Sequence, residues 1–97
     1  MATGSEATHG QWGLAAAVRR FPHGEFAIRR LLARSEAFRD MCAELAEAEL
    51  ALSNVPASPR SLSLARRAEW QDLVDRLVAE IGTEIRESQA WHNSRTP

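Results

Sequence analysis

The chain contains no lysine and no tyrosine, a single cysteine, four prolines and five glycines in 97 residues. Each shortage excludes something. One cysteine, Cys42, forms no internal disulfide, so this is not a disulfide-stapled scaffold, and a reducing compartment is expected. Its place beside Met41 in an apolar stripe points to a buried, inert thiol rather than a nucleophile. No apolar run approaches the ~20 residues needed to cross a bilayer. Residues 14–18 are too few for the apolar core of a signal peptide, and the arginines follow them instead of preceding them. A formal charge of −1 excludes a global basic field that would hold nucleic acid or anionic lipid non-specifically. With arginine as the only strong base and alanine abundant, the composition reads as the imprint of a GC-rich bacterial genome, and the expected location is cytoplasmic.

Catalytic constellations are equally scarce. His9, His23 and His92 lie far apart, and none has a carboxylate or cysteine at i+3 or i+4 to build a metal site. The chain has a single Glu-x-x-His, Glu6 to His9, whereas di-iron centres in helical bundles take one from each of two helices. So are a Gly-rich phosphate loop, a GxSxG elbow and a plausible Ser/His/Asp set. Asp40, Glu44 and Glu47 share one side of a helix, and Glu80, Glu84 and Glu87 one side of another; such rows on long helices read as solvated faces. The sequence therefore assigns no catalytic residue, cofactor, metal or small-molecule substrate.

What is present is helical periodicity. In residues 26–52, Leu31, Phe38, Leu45 and Leu52 recur at i+7, while Ala27, Met41, Ala48 and Val55 fill the second seam position, broken only by Arg34. A polar residue at such a position fixes register or opens the core. Phe21-Pro22 marks the start of this helix, because proline suits the first helical turn. Residues 53–59, with two prolines and three small polar residues, end it. A second face follows in Leu62, Ala65, Trp70, Leu73, Val74, Leu77, Val78, Ile81 and Ile85, beginning after a Ser58-Pro59 cap.

Two arms of equal length across a short loop predict an all-α, antiparallel two-helix hairpin over residues 22–88, with helix 1 at about 23–53 and helix 2 at about 59–88. Its packing seam is Leu31, Phe38, Met41, Leu45, Trp70, Val74, Leu77 and Ile81. Residues 1–21 are expected to be a flexible extension and 89–97 a flexible tail. The spacing of Trp12, Leu14 or Ala15, Val18 and Phe21 fits a short helix at 12–20, and three alanines beside Gly13 equally fit a frayed segment. The second face spans roughly 140°, wider than one partner helix covers. A homodimer, pairing two hairpins into a four-helix bundle, is the expected solution, with the 12–21 segment as the rival cover.

One stretch is electrostatically lopsided. Across residues 19–34, five arginines (Arg19, Arg20, Arg29, Arg30, Arg34) stand against Glu25 alone, an excess of four positive charges. Arg19, Arg20, Arg29 and Arg30 are the candidate anion- or partner-binding residues, with RNA, DNA or an acidic protein as ligand. The bland alternative, given more weight, is a solvated face partly paired with the acidic stretch 44–49 of a neighbouring chain.

The segments FPHGEFAIRRLLARSEAFRDMCAEL and ARRAEWQDLVDRLVAEI together resemble the small bacterial helical-hairpin proteins grouped as YdcH-like. Phe21-Pro22 opening the helix, the spacing Ile28, Leu31, Phe38, Cys42 and Leu45, and the short loop to a second amphipathic helix carry the likeness, over about residues 20–87. The resemblance implies a helical hairpin and no enzymatic activity. The functional expectation is a non-enzymatic protein–protein interaction or dimerisation module, with nucleic-acid binding as the less favoured alternative.

Overall fold

The computed structural model describes residues 2–54 and 61–94, with side chains over 11–54 and 64–90. Among them every regular element is helical: α1 (Ala2–Arg20), a 3-10 turn (Pro22–Gly24), α2 (Glu25–Arg34), α3 (Glu36–Ser53) and α4 (Ser61–Ser94). Residues 55–60, including Val55, Pro56 and Pro59 of the expected reversal, lie outside the described residues, as do the side chains of Leu62, Trp91, His9 and His92.

Three boundaries differ from the sequence reading. The segment with a possible helix at 12–20 is helical from Ala2 to Arg20. The second helix extends to Ser94 rather than ending near 88. Most consequentially, the helix expected to run unbroken over 23–53 is a 3-10 turn followed by two helices. Phe21-Pro22 does open this region, but Pro22 starts the 3-10 turn, closed by Gly24 N–H donating to the Phe21 carbonyl at 3.0 Å.

The break between α2 and α3 falls at Ser35, whose φ of −127° and ψ of 113° are extended. Its backbone N–H still donates to the Leu31 carbonyl (2.8 Å) to finish α2, while its Oγ accepts from the Phe38 N–H (3.1 Å) to begin α3. One serine thus ends one helix and N-caps the next, satisfying an amide that a helix start leaves unpaired. Arg39 braces the joint by donating from Nη1 to the Leu32 carbonyl at 2.7 Å. The break also accounts for Arg34. As the last residue of α2 it is exposed, so the seam's polar member never enters the core.

The core is shared by all four helices. Phe38, Cys42, Leu45 and Ala48 of α3 meet Val74, Leu77, Ile81 and Ile85 of α4, Ala27 and Ile28 of α2, and Ala16 and Ala17 of α1. Leu31, Met41 and Trp70 are half-buried against its rim. Burying a side chain such as Phe38, Ile28, Leu45 or Ile81 stabilises the fold by roughly 1.5–3 kcal/mol. The 12–21 segment that sequence reasoning held as a rival cover does pack on α3, and small residues allow it. A β-carbon on Gly13 would stand 3.1 Å from the Cys42 Cβ and 3.2 Å from the Ala43 nitrogen.

Gly13 lies at Cys42 while Arg19 and Arg20 reach Glu49, so α1 and α3 advance in the same direction. α4 passes the 3-10 turn that follows Arg20. Phe21 lies against Gly82, and a Cβ on Gly24 would be 3.5 Å from Ile85 Cγ2.

Candidate functional site

The arginines singled out by sequence engage separate partners. Arg19 and Arg20, in the last turn of α1, converge on a single carboxylate of α3: Arg19 Nη2 to Glu49 Oε1 at 3.1 Å, Arg20 Nη2 to Glu49 Oε2 at 2.7 Å. Arg29 Nε bonds Glu25 Oε2 at 2.9 Å, one turn back on α2. The Arg30 guanidinium lies over the Phe26 ring, 5.8 Å from its centroid, an attractive contact between a cation and an aromatic face. The bland expectation paired this face in part with the acidic stretch of a neighbouring chain; for Arg19 and Arg20, Glu49 of the same chain supplies the carboxylate. Sequence reading had no means of finding this pair, because it depends on α1 lying along α3.

Of the seam residues, Phe38, Leu45, Val74, Leu77 and Ile81 are buried, and Leu31, Met41 and Trp70 line the core's edge. Cys42, Ile28 and Ile85 are buried as fully and were not among the seam residues proper. Burial pushes the Cys42 thiol from its ordinary 9.0 to about 12, which keeps it protonated and unreactive at neutral pH. Asp40, Glu44, Glu47, Glu80, Glu84, Glu87 and His23 are all exposed. No group of three His, Cys, Asp or Glu among the described residues is placed to hold a metal ion. None of their helices is long and apolar enough to cross a membrane.

Two depressions can be described among these residues. A groove of about 360 Å³ runs between α1 and α3, lined by Trp12, Ala15, Arg19, Ala46, Glu49, Leu50 and Ser53. Trp12 is 51% exposed and Leu50 50%, so two large apolar side chains share it with the Arg19–Glu49 ion pair. The second, about 290 Å³, lies where the 3-10 turn meets α4 and includes Arg20, Phe21, His23, Ile85 and Arg86. Phe26 (72% exposed) and Leu64 stand apart from both.

Comparison with protein-family models, curated proteins and solved structures finds no match to this chain. The functional reading therefore rests on its own surface. The groove offers apolar contact beside the Glu49 carboxylate that Arg19 and Arg20 share, a combination suited to a protein surface. It presents no cluster of nucleophile, base and oxyanion donors.

Proposed function

We propose that the chain is a non-enzymatic protein–protein interaction module that self-associates, its helices pairing with those of a second copy. The observation that carries this reading is surface left uncovered. The accessible area is 6875 Å², whereas a compact monomer of 10.8 kDa exposes about 5,500 Å². The radius of gyration, 15.6 Å, likewise exceeds the ~12.5 Å of a compact domain of this length. Residues 64–69 of α4 are exposed on every side, and Leu64 is among them. A small helical core of this kind is marginal alone and gains from association. The dimeric bundle of helical hairpins expected from the sequence, and the likeness to YdcH-like hairpins, accord with this reading.

Binding of RNA or DNA is the weaker alternative. Arg19, Arg20 and Arg29 already hold carboxylates, and a polyanion would have to displace them. Light scattering coupled to size exclusion, at tens of micromolar, tests the main reading: a mass near twice 10.8 kDa is expected, and a folded monomer overturns it.

A further inference from the structure

The depression where the 3-10 turn meets α4 sets basic side chains over an apolar floor. They come from three elements: Arg20 from the last turn of α1, His23 from the 3-10 turn and Arg86 from α4. No aspartate or glutamate lines it. Arg86 is the decisive member. Its Nη2 donates to Thr83 Oγ1 at 3.3 Å, and among the described residues no carboxylate pairs with it. The residues three and four places away on α4, those within side-chain reach, are Gly82, Thr83, Gln89 and Ala90, and Glu87, next in the chain, does not face it. Arg20 adds less than a full charge. It shares Glu49 with Arg19, two guanidinium groups on one carboxylate, so that cluster keeps an excess of one positive charge.

The floor is made of Gly24, Gly82 and Ile85, all buried, with the half-buried Phe21. A β-carbon on Gly82 would meet the Phe21 ring at 3.1 Å and Arg86 Nη1 at 3.3 Å, so the guanidinium and the ring edge stand together above that glycine. A volume of about 290 Å³ is at the lower edge of the range that small-molecule sites occupy, which suits a body of one ring. The charged group follows from the donors. A guanidinium fork matches carboxylate and phosphate alike. One fork satisfies a planar carboxylate, whereas Arg86, His23, Arg20 and the Gln89 amide offer donors from three elements and more than one positive charge in excess. Those match a phosphomonoester, which is nearly dianionic at neutral pH and has three acceptor oxygens.

We infer that this depression is a binding site for a small phosphomonoester with an apolar ring, its phosphate held by Arg86 with His23 and Arg20 and its ring lying on Phe21 and Ile85. The site does not depend on self-association.

Titration of the full chain with phenyl phosphate at low ionic strength, followed by two-dimensional amide NMR, tests the site. Saturable shifts confined to residues 20–24 and 82–89 are expected; no shifts, or shifts centred elsewhere, overturn the proposal. Arg86→Gln should weaken binding about tenfold, through loss of a charge-assisted donor. Arg86 is exposed and bonded only to the exposed Thr83, so the variant should keep its helicity by circular dichroism. Arg76→Gln removes the same charge from an exposed position of α4 outside the depression, and should change binding less than about twofold. Equal losses in the two variants would reduce the effect to overall charge and overturn the site. Inorganic phosphate and benzoate, each lacking one half of the ligand, should both bind about tenfold more weakly than phenyl phosphate. Inorganic phosphate binding as tightly removes the ring from the assignment, benzoate binding as tightly removes the phosphate, and either overturns the class of ligand inferred.

Discussion

Gly13 of α1 sits against Cys42 of α3 so closely that a β-carbon at position 13 would stand 3.1 Å from the Cys42 Cβ. The adjoining backbone of Cys42 and Ala43 lies just as near, at 3.2 Å, and backbone yields less readily than the end of a flexible side chain. Gly13→Val should therefore lower stability by roughly 1–3 kcal/mol, the usual range for overpacking. Gly13→Ala should lose less, since alanine regains ~1 kcal/mol of helix propensity. Urea denaturation measures both. A valine variant as stable as the parent would mean that α1 does not approach α3 here.

Cys42 itself gives a pH dependence. Its pKa is 9.0 when exposed and about 12 when buried, the cause being desolvation of the thiolate. Between these values the unfolded chain has released the proton and the folded chain has kept it, so ∂ΔG/∂pH is negative. The contribution is fully present below pH 9 and is lost as pH rises towards 12. Stability measured at pH 8 and pH 10.5 should fall more in the parent than in Cys42→Ala, and equal falls would place the thiol in water. In the native state the thiol should also resist aromatic disulfide reagents until urea opens the core.

Ser35 is the third test. Removing its Oγ leaves the Phe38 N–H without its acceptor, so Ser35→Ala should cost about 1 kcal/mol. Ser35→Asp, which keeps a capping oxygen, should cost little. Thermal melts of the two variants distinguish a true cap from an incidental kink, for which both would behave alike.

The same residue explains what the sequence made legible and what it hid. Apolar periodicity correctly marked Phe38, Leu45 and the α4 face from Trp70 to Ile85, though not Ala65, which is exposed, because burial imposes that spacing whether or not the helix is continuous. It could not locate the break, since neither proline nor glycine stands there. The local signal was a capping-competent serine directly after Arg34, the one polar residue in the seam, and reading those two together would have placed the boundary. The arrangement of α1 was harder still. Ala16 and Ala17 carry little hydrophobic signal, yet both are completely buried, because only small side chains let two helices come this near. The Glu49 pairing was invisible for the same reason, being separated by about thirty residues in the chain.

Core truncations set the scale of the rest. Leu45 and Ile81 are fully buried, and Leu45→Ala or Ile81→Ala should each cost roughly 2–5 kcal/mol. For so small a domain that is a large part of the whole. Calorimetric melts indistinguishable from the parent would show the core to be elsewhere.

Glu49→Gln should matter much less to folding. The side chains of Arg19 and Arg20 are 63% and 40% exposed, and solvent screening holds the loss to about 1 kcal/mol or below. It should vanish in 1 M salt. The substitution also releases two guanidinium groups. Retention on a heparin column at low salt should therefore rise in the variant over the parent, and unchanged retention would mean that Glu49 does not restrain them.

That ion pair has one more consequence. The aligned peptide groups of a helix leave partial negative charge at its C-terminal end, which basic side chains in the last turn normally offset. The last turn of α3 contains none, and Glu49 close by makes matters worse. Arg19 and Arg20 close α1 at the same level, so a single cluster of guanidinium groups serves the negative poles of two parallel helices. One helix lends its neighbour a counter-charge that the neighbour's own residues omit, and the like-pointing arrangement of α1 and α3 is tolerable because of it.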